Sequence, residues 1–434
     1  MNDARKRAAG LLPAALLAAA CIALVPAQAA YATDYHWIGA GTGGNKATDP
    51  ADPTTQWNNP ANWQGGIVPT PNSIAYLPLT NAGYVNAQSA ALAGLFVDGT
   101  SAEGACHIAD GVAITTQPGY GVFVGYEAQG RIVQTGGSVT TYGAYGGYGL
   151  LYVGGPETAG TGRYELHGGN VECHEAKVGY QGTGILEQAG GTLIVTGTMY
   201  VGVGSLAWPG NGTLNMGAGT LRVGTLDVGG AWSSGALNIT DSAGRIEASY
   251  MLALGHRSAL TAVPGSEIHL PGTVFRNLSK DETAMSGLEN LALVFDGTGA
   301  MLGGSVEVAG KDLGPVAAGF VGNFVLGSLV IGGDAPRSIW LEDIIDNGNR
   351  SSAEALYVHN LTVGPGSKLD LAGLHLYYDG TLVNDGTIIG GTPLFVPEPA
   401  TLGMLLLGWA HLLLRRVHCK SCKGQACRGT RKKN

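Results

Sequence analysis

Two glutamates hold equivalent positions in neighbouring copies of a repeated phrase. Glu165 follows Gly162-Arg163-Tyr164, and Glu187 follows Gly184-Ile185-Leu186. If the two phrases form strands stacked one above the other, the carboxylates lie about 5 Å apart, close to the separation of the two catalytic carboxyl groups in retaining glycosidases. No cleft is predicted on this outward face, and the neighbouring copies add no acid–base partner. The sequence therefore favours separately hydrated surface acids and keeps a catalytic pair as the alternative.

Aromatic side chains form a second set that could bind a ligand. In the first strand of each repeat, the outward position is held in turn by Phe123, Tyr152, Lys177, Tyr200 and Asp227. The three aromatic rings, Phe123, Tyr152 and Tyr200, could stack on sugar rings through their flat faces. Aromatic residues are also good strand formers that cover their neighbours in a sheet. Glycan contact and simple strand packing both stay open.

Other patterns of catalytic or metal-binding residues do not emerge. The outward column of the third strand, Thr140, Glu172, Ile194 and Arg222, is not the ladder of Asp residues that a calcium-dependent polysaccharide lyase on such a scaffold would carry. The oxygen side chains of 343–349 lack the alternate spacing of a calcium loop. The repeated glycines are not followed by a helix and a Lys, as a nucleotide-binding loop would require. We therefore predict no catalytic residue, no metal site and no cofactor.

The elements that must position these residues are short strands in a repeat of about 26 residues. An apolar-x-Val-Gly phrase is followed by a Gly-x-apolar phrase, and then by a third alternating run. The glycine that opens the second phrase recurs at Gly130, Gly162, Gly184, Gly212 and Gly235. Period-2 alternation indicates strands, and self-similarity at a fixed period indicates a repeat architecture. Each repeat therefore contains three strands.

Three short strands in one repeat make one turn of a coil, which buries its inward residues only when turns stack. We predict an all-β fold, a β-solenoid of the parallel β-helix type, with its repeats over 119–273. Glycine marks the corners because several corner residues must adopt positive φ. Residues 274–392 carry clean but less periodic strands and are interpreted as further rungs or a closing β region.

Residues 33–118 are interpreted as an N-terminal cap and β region. Trp37, Trp57 and Trp63 stand in an irregular stretch before the repeats. A stack of strands needs a cover over its open end, and large aromatic side chains suit that task. The alternative for these three rings is a sugar-binding platform.

Two cysteines lie in the body of the chain, Cys106 and Cys173. Cys173 holds an inward position that other repeats fill with Thr141, Val195 or Val223. The two cysteines are about two and a half turns apart, or roughly 12 Å along the stack. A disulfide requires Cα atoms within about 7 Å. We predict two free, buried thiols.

Composition and charge narrow the class of protein. Glycine accounts for 72 of 434 residues, yet the hydrophobic share of 45% is too high for a disordered chain. Residues 33–399 contain 13 basic and 31 acidic residues, a net charge of −18. So acidic a body excludes nucleic acid as a partner.

Both ends of the chain carry targeting patterns. Residues 1–32 have the order of a signal peptide: Arg5-Lys6-Arg7, an apolar core from Ala8 to Val25, and a small-residue cleavage site at Ala27-Gln28-Ala29 or Ala30-Tyr31-Ala32. Near the other end, Val396-Pro397-Glu398-Pro399 is followed by fifteen mainly apolar residues, 400–414, and then by Arg415-Arg416. Fifteen apolar residues are fewer than the roughly twenty of a permanent membrane span, which suits a short helix and a transient anchor.

The C-terminal pattern, 393–434, resembles the PEP-CTERM sorting signal of Gram-negative bacteria. The resemblance implies export, recognition by an exosortase-type processing enzyme, cleavage near the tripeptide, and delivery to the cell surface or extracellular matrix. Val396, Pro397, Glu398, Pro399, Arg415 and Arg416 carry it; the Arg pair would hold the helix end on the cytoplasmic side of the inner membrane. His411 and the tail that follows Arg416, with Cys419, Cys422 and Cys427, depart from the family pattern. We interpret this tail as a cytoplasmic remnant that is lost on processing.

A second resemblance lies near the N-terminus. The phrase Trp57-Asn58-Asn59-Pro60-Ala61-Asn62-Trp63 is similar to the start of bacterial exported proteins with autotransporter-like β-strand repeats. Together these features predict an exported, non-catalytic, surface-sorted protein with a structural or adhesive role, and possible contact with exopolysaccharide. The alternative is a carbohydrate-active enzyme or glycan-binding module that uses a face of the solenoid.

Overall fold

The computed structural model describes residues 33–38, 56–79, 84–87, 89–99, 104–117, 120–142, 149–155, 160–271, 274–297, 303–333, 335–347 and 353–397. Within these ranges the chain forms one large, mostly parallel sheet. The predicted all-β solenoid is confirmed. The predicted C-terminal hydrophobic helix, 400–414, lies outside the described residues.

The strands in chain order are β1 (Asp34–His36), β2 (Ile74–Leu79), β3 (Tyr84–Asn86), β4 (Ala90–Leu92), β5 (Gly94–Gly99), β6 (Ala105–Ile108), β7 (Ala113–Thr116), β8 (Gly121–Val124), β9 (Gln129–Gln134), β10 (Ser138–Thr141), β11 (Leu150–Val153), β12 (Thr161–Leu166), β13 (Asn170–Cys173), β14 (Glu175–Tyr180), β15 (Thr183–Gln188), β16 (Thr192–Val203) and β17 (Asn211–Met216). They continue with β18 (Thr220–Val228), β19 (Ser234–Ile239), β20 (Arg245–Leu254), β21 (Ser258–Ala262), β22 (Ser266–His269), β23 (Val274–Asn277), β24 (Leu291–Phe295), β25 (Gly303–Glu307), β26 (Gly310–Lys311), β27 (Leu326–Ile331), β28 (Ser338–Glu342), β29 (Glu354–Val363), β30 (Lys368–Asp370), β31 (His375–Tyr378), β32 (Leu382–Asn384), β33 (Thr387–Ile389) and β34 (Leu394–Phe395). Short 3-10 helices span Pro60–Asn62, Gln64–Gly66, Thr283–Asn290 and Ala317–Phe320.

Most turns of the chain pass through three faces, and most strands pair in parallel with the equivalent strand one turn later. The first face runs β1–β2–β5–β8–β11–β14–β16–β18–β20–β23–β25–β28–β30–β33. The second runs β3–β6–β9–β12–β15–β17–β19–β21 and resumes as β29–β31–β34. The third runs β4–β7–β10–β13–β16–β18–β20–β22–β24–β27–β29–β32. The parallel ladder thus extends beyond the predicted 119–273 in both directions.

The interior is filled by the inward member of each alternating strand. On the first face the inward residues Leu151, Val153 and their equivalents in neighbouring turns are at most 1% exposed, and they belong to one continuous apolar cluster. Fully burying a Val or Leu side chain contributes about 1.5–3 kcal/mol. Because each turn adds several such side chains, stacking of turns accounts for the stability that a single turn lacks.

Cys106 and Cys173 lie in this interior as free thiols, as predicted. Burial raises the pKa of Cys106 to about 12 and also raises the pKa of Cys173. Between their strands, the buried Tyr164 hydroxyl donates to Gln134 Oε1 at 2.5 Å. The interior is therefore mostly apolar, with a few buried polar side chains such as Tyr164 and Gln134 joined by hydrogen bonds.

Two columns of glycine shape the corner between the first and second faces, for different reasons. The Val-Gly glycines have positive φ, for example +82° at Gly154, as the sequence predicted for corners. Gly162, one of the second set, has no such φ, but a Cβ there would lie 2.1 Å from Val124 O and 2.2 Å from Gly154 N. The second column needs glycine because two backbone segments touch.

The N-terminal end of the stack is covered by aromatic residues. Trp57 and Trp63 are 1% exposed and Trp37 is 6% exposed. Trp63 meets both of the others edge to face, with ring centroids 5.2 Å from Trp37 and 4.9 Å from Trp57. Its indole N–H also donates to Trp57 O at 2.7 Å. These rings fill the end of the interior, and their faces are not presented to solvent.

The second face is interrupted after β21. The 3-10 segment Thr283–Asn290 packs against β21 in the next turn. In the turn after that, β26 pairs antiparallel with β29, and the 3-10 segment Ala317–Phe320 follows. Regular second-face strands then return with β29, so the rod keeps its axis past two irregular turns.

Candidate functional site

The outward column of the first face begins with five stacked rings. His36, Tyr76, Phe96, Phe123 and Tyr152 are aligned by the strand register of successive turns. Their centroids are 4.8, 4.8, 4.5 and 5.1 Å apart, and the planes are nearly parallel. We call this column the ring ladder. Because rungs of a sheet are separated by about 4.8 Å, side chains in register stack face to face without leaving their rotamers.

The ring ladder contains two of the three predicted glycan-contact residues. Phe123 and Tyr152 stack on each other, with an interplanar angle of 7°, whereas Tyr200 is separated from Tyr152 by the Lys177 rung. Phe123 is only 8% exposed, and its two faces contact Phe96 and Tyr152. A sugar ring needs an open aromatic face, so the ring faces of Phe123 are already used within the rod.

Lys177 closes the other face of Tyr152. Its ammonium nitrogen lies 5.0 Å from the Tyr152 centroid and 4.7 Å from that of Tyr180, both within cation–π range. It also bonds to the Tyr152 hydroxyl at 3.1 Å and pairs with Glu175 at 2.8 Å. Burial lowers the pKa of Lys177, but the hydrogen bonds to Glu175 and Tyr152 outweigh it and raise that pKa overall. The cation is therefore fixed in place as the end of the ring ladder.

His36, Tyr76 and Phe96 were not singled out from the sequence. They lie in the N-terminal region, where insertions between strands hide the period. A signal was present: Tyr76 and Phe96 each stand two residues after a strand begins, as Phe123 does in β8. Alignment on strand starts instead of on glycines would have placed them in one column.

The second face carries Glu165 and Glu187, and the structure places them side by side in register. Glu165 accepts from Arg131 Nε at 2.8 Å and from Arg163 Nε at 2.6 Å, while Arg163 also reaches Glu187 at 2.8 Å. Glu165 is 5% exposed. The expectation of separately hydrated acids therefore does not hold, because Arg163 bridges the two carboxylates and Arg131 also binds Glu165.

The protonation of Glu165 follows from these contacts. Burial by itself would raise the pKa of Glu165, but the hydrogen bonds and charges of Arg131 and Arg163 lower it to about 2. A general acid in glycoside hydrolysis needs a carboxyl whose pKa is raised, so that it holds a proton near neutral pH. Glu165 is shifted in the opposite direction, and its oxygens are engaged by guanidinium groups. Arg131, Arg163, Glu165 and Glu187 therefore form a network of ion pairs between neighbouring turns, which we call the Glu165 clamp.

The clamp continues as a polar ladder along the same face. Asn215 donates to Glu187 at 3.5 Å, Asn238 donates to Asn215 at 2.9 Å, and Thr261 donates to Asn238 at 2.8 Å. Each of these bonds connects one turn to the next. Like the ring ladder, this column directs its hydrogen bonds along the rod axis.

Two tryptophans in neighbouring corners are open to solvent. Trp208 lies between β16 and β17 and is 52% exposed, and Trp232 lies between β18 and β19 and is 48% exposed. The loops that carry them are tied together, because the buried Ser233 hydroxyl accepts from Gly210 N at 3.0 Å. Within the Trp232 loop, Ser233 O accepts from Gly230 N at 3.0 Å. Ser205 also accepts from Trp208 N at 3.2 Å. Leu206, which lies in the same loop as Trp208, is 70% exposed. We call the surface formed by Trp208, Trp232 and Leu206 the tryptophan corner.

Histidine–carboxylate pairs lie near the C-terminal end. His375 Nδ1 contacts Asp312 Oδ2 at 2.5 Å, and Tyr377 donates to the same carboxylate at 2.8 Å. Burial raises the pKa of Asp312, but its contacts with His375 and Tyr377 lower it overall. His359 pairs with Asp379 at 2.7 Å. Across the described ranges, no three His, Cys, Asp or Glu side chains form a group that could hold a metal ion.

The predicted sorting residues begin where the last strand ends. Val396 is buried, and its N–H donates to Tyr378 O at 2.7 Å. Pro397 is the last residue that the structure describes, so Glu398, Pro399, Arg415 and Arg416 lie outside it. In the described part of the chain, no helix has the length and apolar character needed to cross a membrane.

Comparisons of this chain with protein-family models, with curated proteins and with solved structures find no match.

Proposed function

We propose that this protein is an exported, surface-sorted and non-catalytic β-solenoid that serves as a structural and adhesive element of the cell envelope or its exopolysaccharide matrix. The observation that supports it best is the direction of the outward contacts. The ring ladder and the Glu165 clamp both join one turn to the next, so these side chains act as reinforcement of a rod. Because these contacts hold successive turns together along the rod axis, they suit a protein that bears load or acts as a spacer.

The ends of the chain support delivery to the surface. The signal-peptide pattern of 1–32 and the Pro397-Glu398-Pro399 tripeptide with its apolar segment give a route across the inner membrane, followed by processing by an exosortase-type enzyme. Pro397 comes two residues after β34, so cleavage near the tripeptide would release the whole rod without cutting a strand. The apolar segment 400–414 would serve only as a transient anchor.

Replacement of Pro397-Glu398-Pro399 by three alanines tests the route. In a cell that carries exosortase, the wild-type chain is expected at the surface or in the medium at the mass of the processed form, and the variant in the inner-membrane fraction at full length. Asp385→Ala, an exposed change in the last turns, is the matched control and should behave as wild type. Equal processing of the triple-alanine variant would contradict the sorting proposal.

A gene deletion tests the structural role separately. Cells without the protein should retain less exopolysaccharide and adhere less, and expression of the wild-type chain should restore both. Normal matrix retention in the deletion strain would contradict the structural role even if sorting occurs as proposed.

A glycan-binding role is the second candidate, and the tryptophan corner favours it. The faces of Phe123 and Tyr152 are occupied, whereas two half-exposed indoles in neighbouring turns are held by hydrogen-bonded loops. Rigid exposed aromatic rings bind at low entropic cost, and the acidic body disfavours anionic ligands, so a neutral polysaccharide is the expected partner.

A polysaccharide pull-down distinguishes the two aromatic sets. The Trp208→Ala/Trp232→Ala variant should lose binding, and Tyr250→Ala, which removes a 58%-exposed ring elsewhere, should keep it. The Phe123→Ala/Tyr152→Ala/Tyr200→Ala variant tests the column first singled out from the sequence, and circular dichroism must show that it folds. Loss of binding in a folded form of that variant, with binding intact in the tryptophan variant, would restore the original column as the site.

A further inference from the structure

Among the described residues, no further strand covers the interior at the last turn of the solenoid. Leu361 and Leu369 are fully buried, but the residues stacked on them in the last turn, Leu382 and Ile388, are only partly covered. Phe395, whose ring centroid lies 5.4 Å from that of Tyr378 in a tilted contact, is 53% exposed. Core positions that are buried in the preceding turns are therefore partly exposed to solvent at this end.

The same turn carries unpaired strand edges. Among the described residues, β32, β33 and β34 pair only with β29, β30 and β31, and their other edges have no partner strand. Val383, Ile389 and Leu394 add exposed apolar side chains around the rim. An apolar end with free backbone groups on three faces is a template for further strand pairing, and solenoids require a cap to prevent it. We call this surface the open end.

The two ends of the rod differ. The N-terminal end is filled by Trp37, Trp57 and Trp63, all buried. A head-to-tail filament would need an open stack at both ends, which this closure prevents. Two open ends can meet about a twofold axis, because such an axis sets the edge strands of two copies antiparallel and makes the contact self-complementary.

The open end could be covered by the chain that follows β34 or by a second copy of the protein. The length of chain left after processing decides between these two. Cleavage near the tripeptide leaves at most a few residues after Phe395, and at about 3.5 Å per residue these cannot cover strands on three faces. We propose that the open end of the processed chain docks onto the open end of a second copy, which gives an end-to-end dimer. The inference rests on the proposed function in one respect, since processing is what removes segment 400–414.

Controlled cleavage of the full chain tests this without the cellular enzyme. A recognition sequence for a specific protease is inserted after Pro399, and the purified chain is cut in mild detergent, which is then removed. Light scattering should show twice the mass of one processed chain, and small-angle X-ray scattering should show close to twice its longest dimension. Because the protease is supplied in vitro, the outcome is independent of whether an exosortase acts on this protein.

Variants at the open end give the specific readout. Phe395→Asp/Ile389→Lys should raise the dissociation constant of the dimer at least about tenfold, whereas Val321→Asp, at a 77%-exposed position on the side of the rod, should leave it unchanged. Circular dichroism confirms that each variant is folded. A cut chain that stays monomeric would overturn the proposal, as would a dimer no longer than the monomer or one that persists in the double variant.

Hydrogen exchange tests whether segment 400–414, instead of a second copy, covers the open end. If the uncut chain protects the amides of 382–395 and the cut chain exposes them yet remains a monomer, then segment 400–414 is the cover and the second copy is not. That result also contradicts the proposal.

Discussion

Glu165 accepts hydrogen bonds from Arg131 and Arg163, and these contacts make part of the free energy of unfolding depend on pH. The pKa of Glu165 is about 2 in the folded protein, well below the ordinary value of 4.5. A carboxyl whose pKa is depressed by folding stabilises the folded state above its unfolded pKa, and that stabilisation is lost as the pH falls through the folded pKa. The clamp should therefore contribute fully above about pH 4.5 and vanish near pH 2.

Glu165→Gln should lower the free energy of unfolding by about 1–3 kcal/mol at pH 7, a range that allows for the partial exposure of both arginines. The difference from wild type should shrink as the pH is lowered from 4.5 towards 2, because the wild-type carboxylate then takes up a proton as well. Urea unfolding at a series of pH values measures it, with Glu172→Gln on an exposed third-face position as the control. A difference that is constant with pH would mean that the ion pair does not supply the stability.

The thiols of Cys106 and Cys173 should not react with alkylating reagents in the folded protein. Burial raises the pKa of both thiols, so the reactive thiolate is scarce at neutral pH and the reagent has no access. Iodoacetamide followed by peptide mapping should leave both unmodified in native protein and label both in urea, whereas an exposed Thr387→Cys variant is labelled in either state. Rapid native labelling, or an increase of the intact mass by two hydrogen atoms on reduction, would contradict this.

The turn itself depends on a backbone contact at the second glycine column. A Cβ at Gly162 would overlap Val124 O and Gly154 N, which are backbone atoms that cannot rotate away. Gly162→Ala should therefore lower the free energy of unfolding by about 3 kcal/mol or more. Gly111→Ala is the matched control: its φ is +78°, but nothing lies within 4 Å, so only the left-handed strain of about 1–2 kcal/mol applies. Equal thermal shifts for the two variants would show that the close approach is not what demands glycine.

The strands of the middle turns follow from alternation and glycine spacing, because each inward residue there meets an equivalent one a turn away. The sequence also aligned Glu165 with Glu187. It did not reveal the clamp, because the contact joins Glu165 to Arg163, two residues earlier on the same strand face, and such a contact depends on side-chain conformations that strand alternation does not specify. The 3-10 segment Thr283–Asn290 was equally hidden, since it replaces a strand without changing the path of the flanking faces.

The whole molecule behaves as a one-dimensional stack, in which each turn is held by its neighbours. Local unfolding should therefore begin at the ends and spread inwards. The N-terminal end is the sharper test, because its cover is a defined contact: Trp63 touches Trp37 and Trp57 and donates a hydrogen bond to Trp57 O.

Trp63→Ala should remove this cover and fray the first turns. Loss of a fully buried Trp costs about 3–5 kcal/mol, and here the loss falls on turns that have neighbours on one side only. Hydrogen exchange should show amides within 33–99 losing protection by at least about a hundredfold, while amides within 160–271 stay as protected as in wild type. Trp208→Ala, which removes a half-exposed indole of the same type from a corner, should change neither region. Uniform loss of protection along the chain would mean that the rod unfolds as a single cooperative unit and that its ends carry no separate stability.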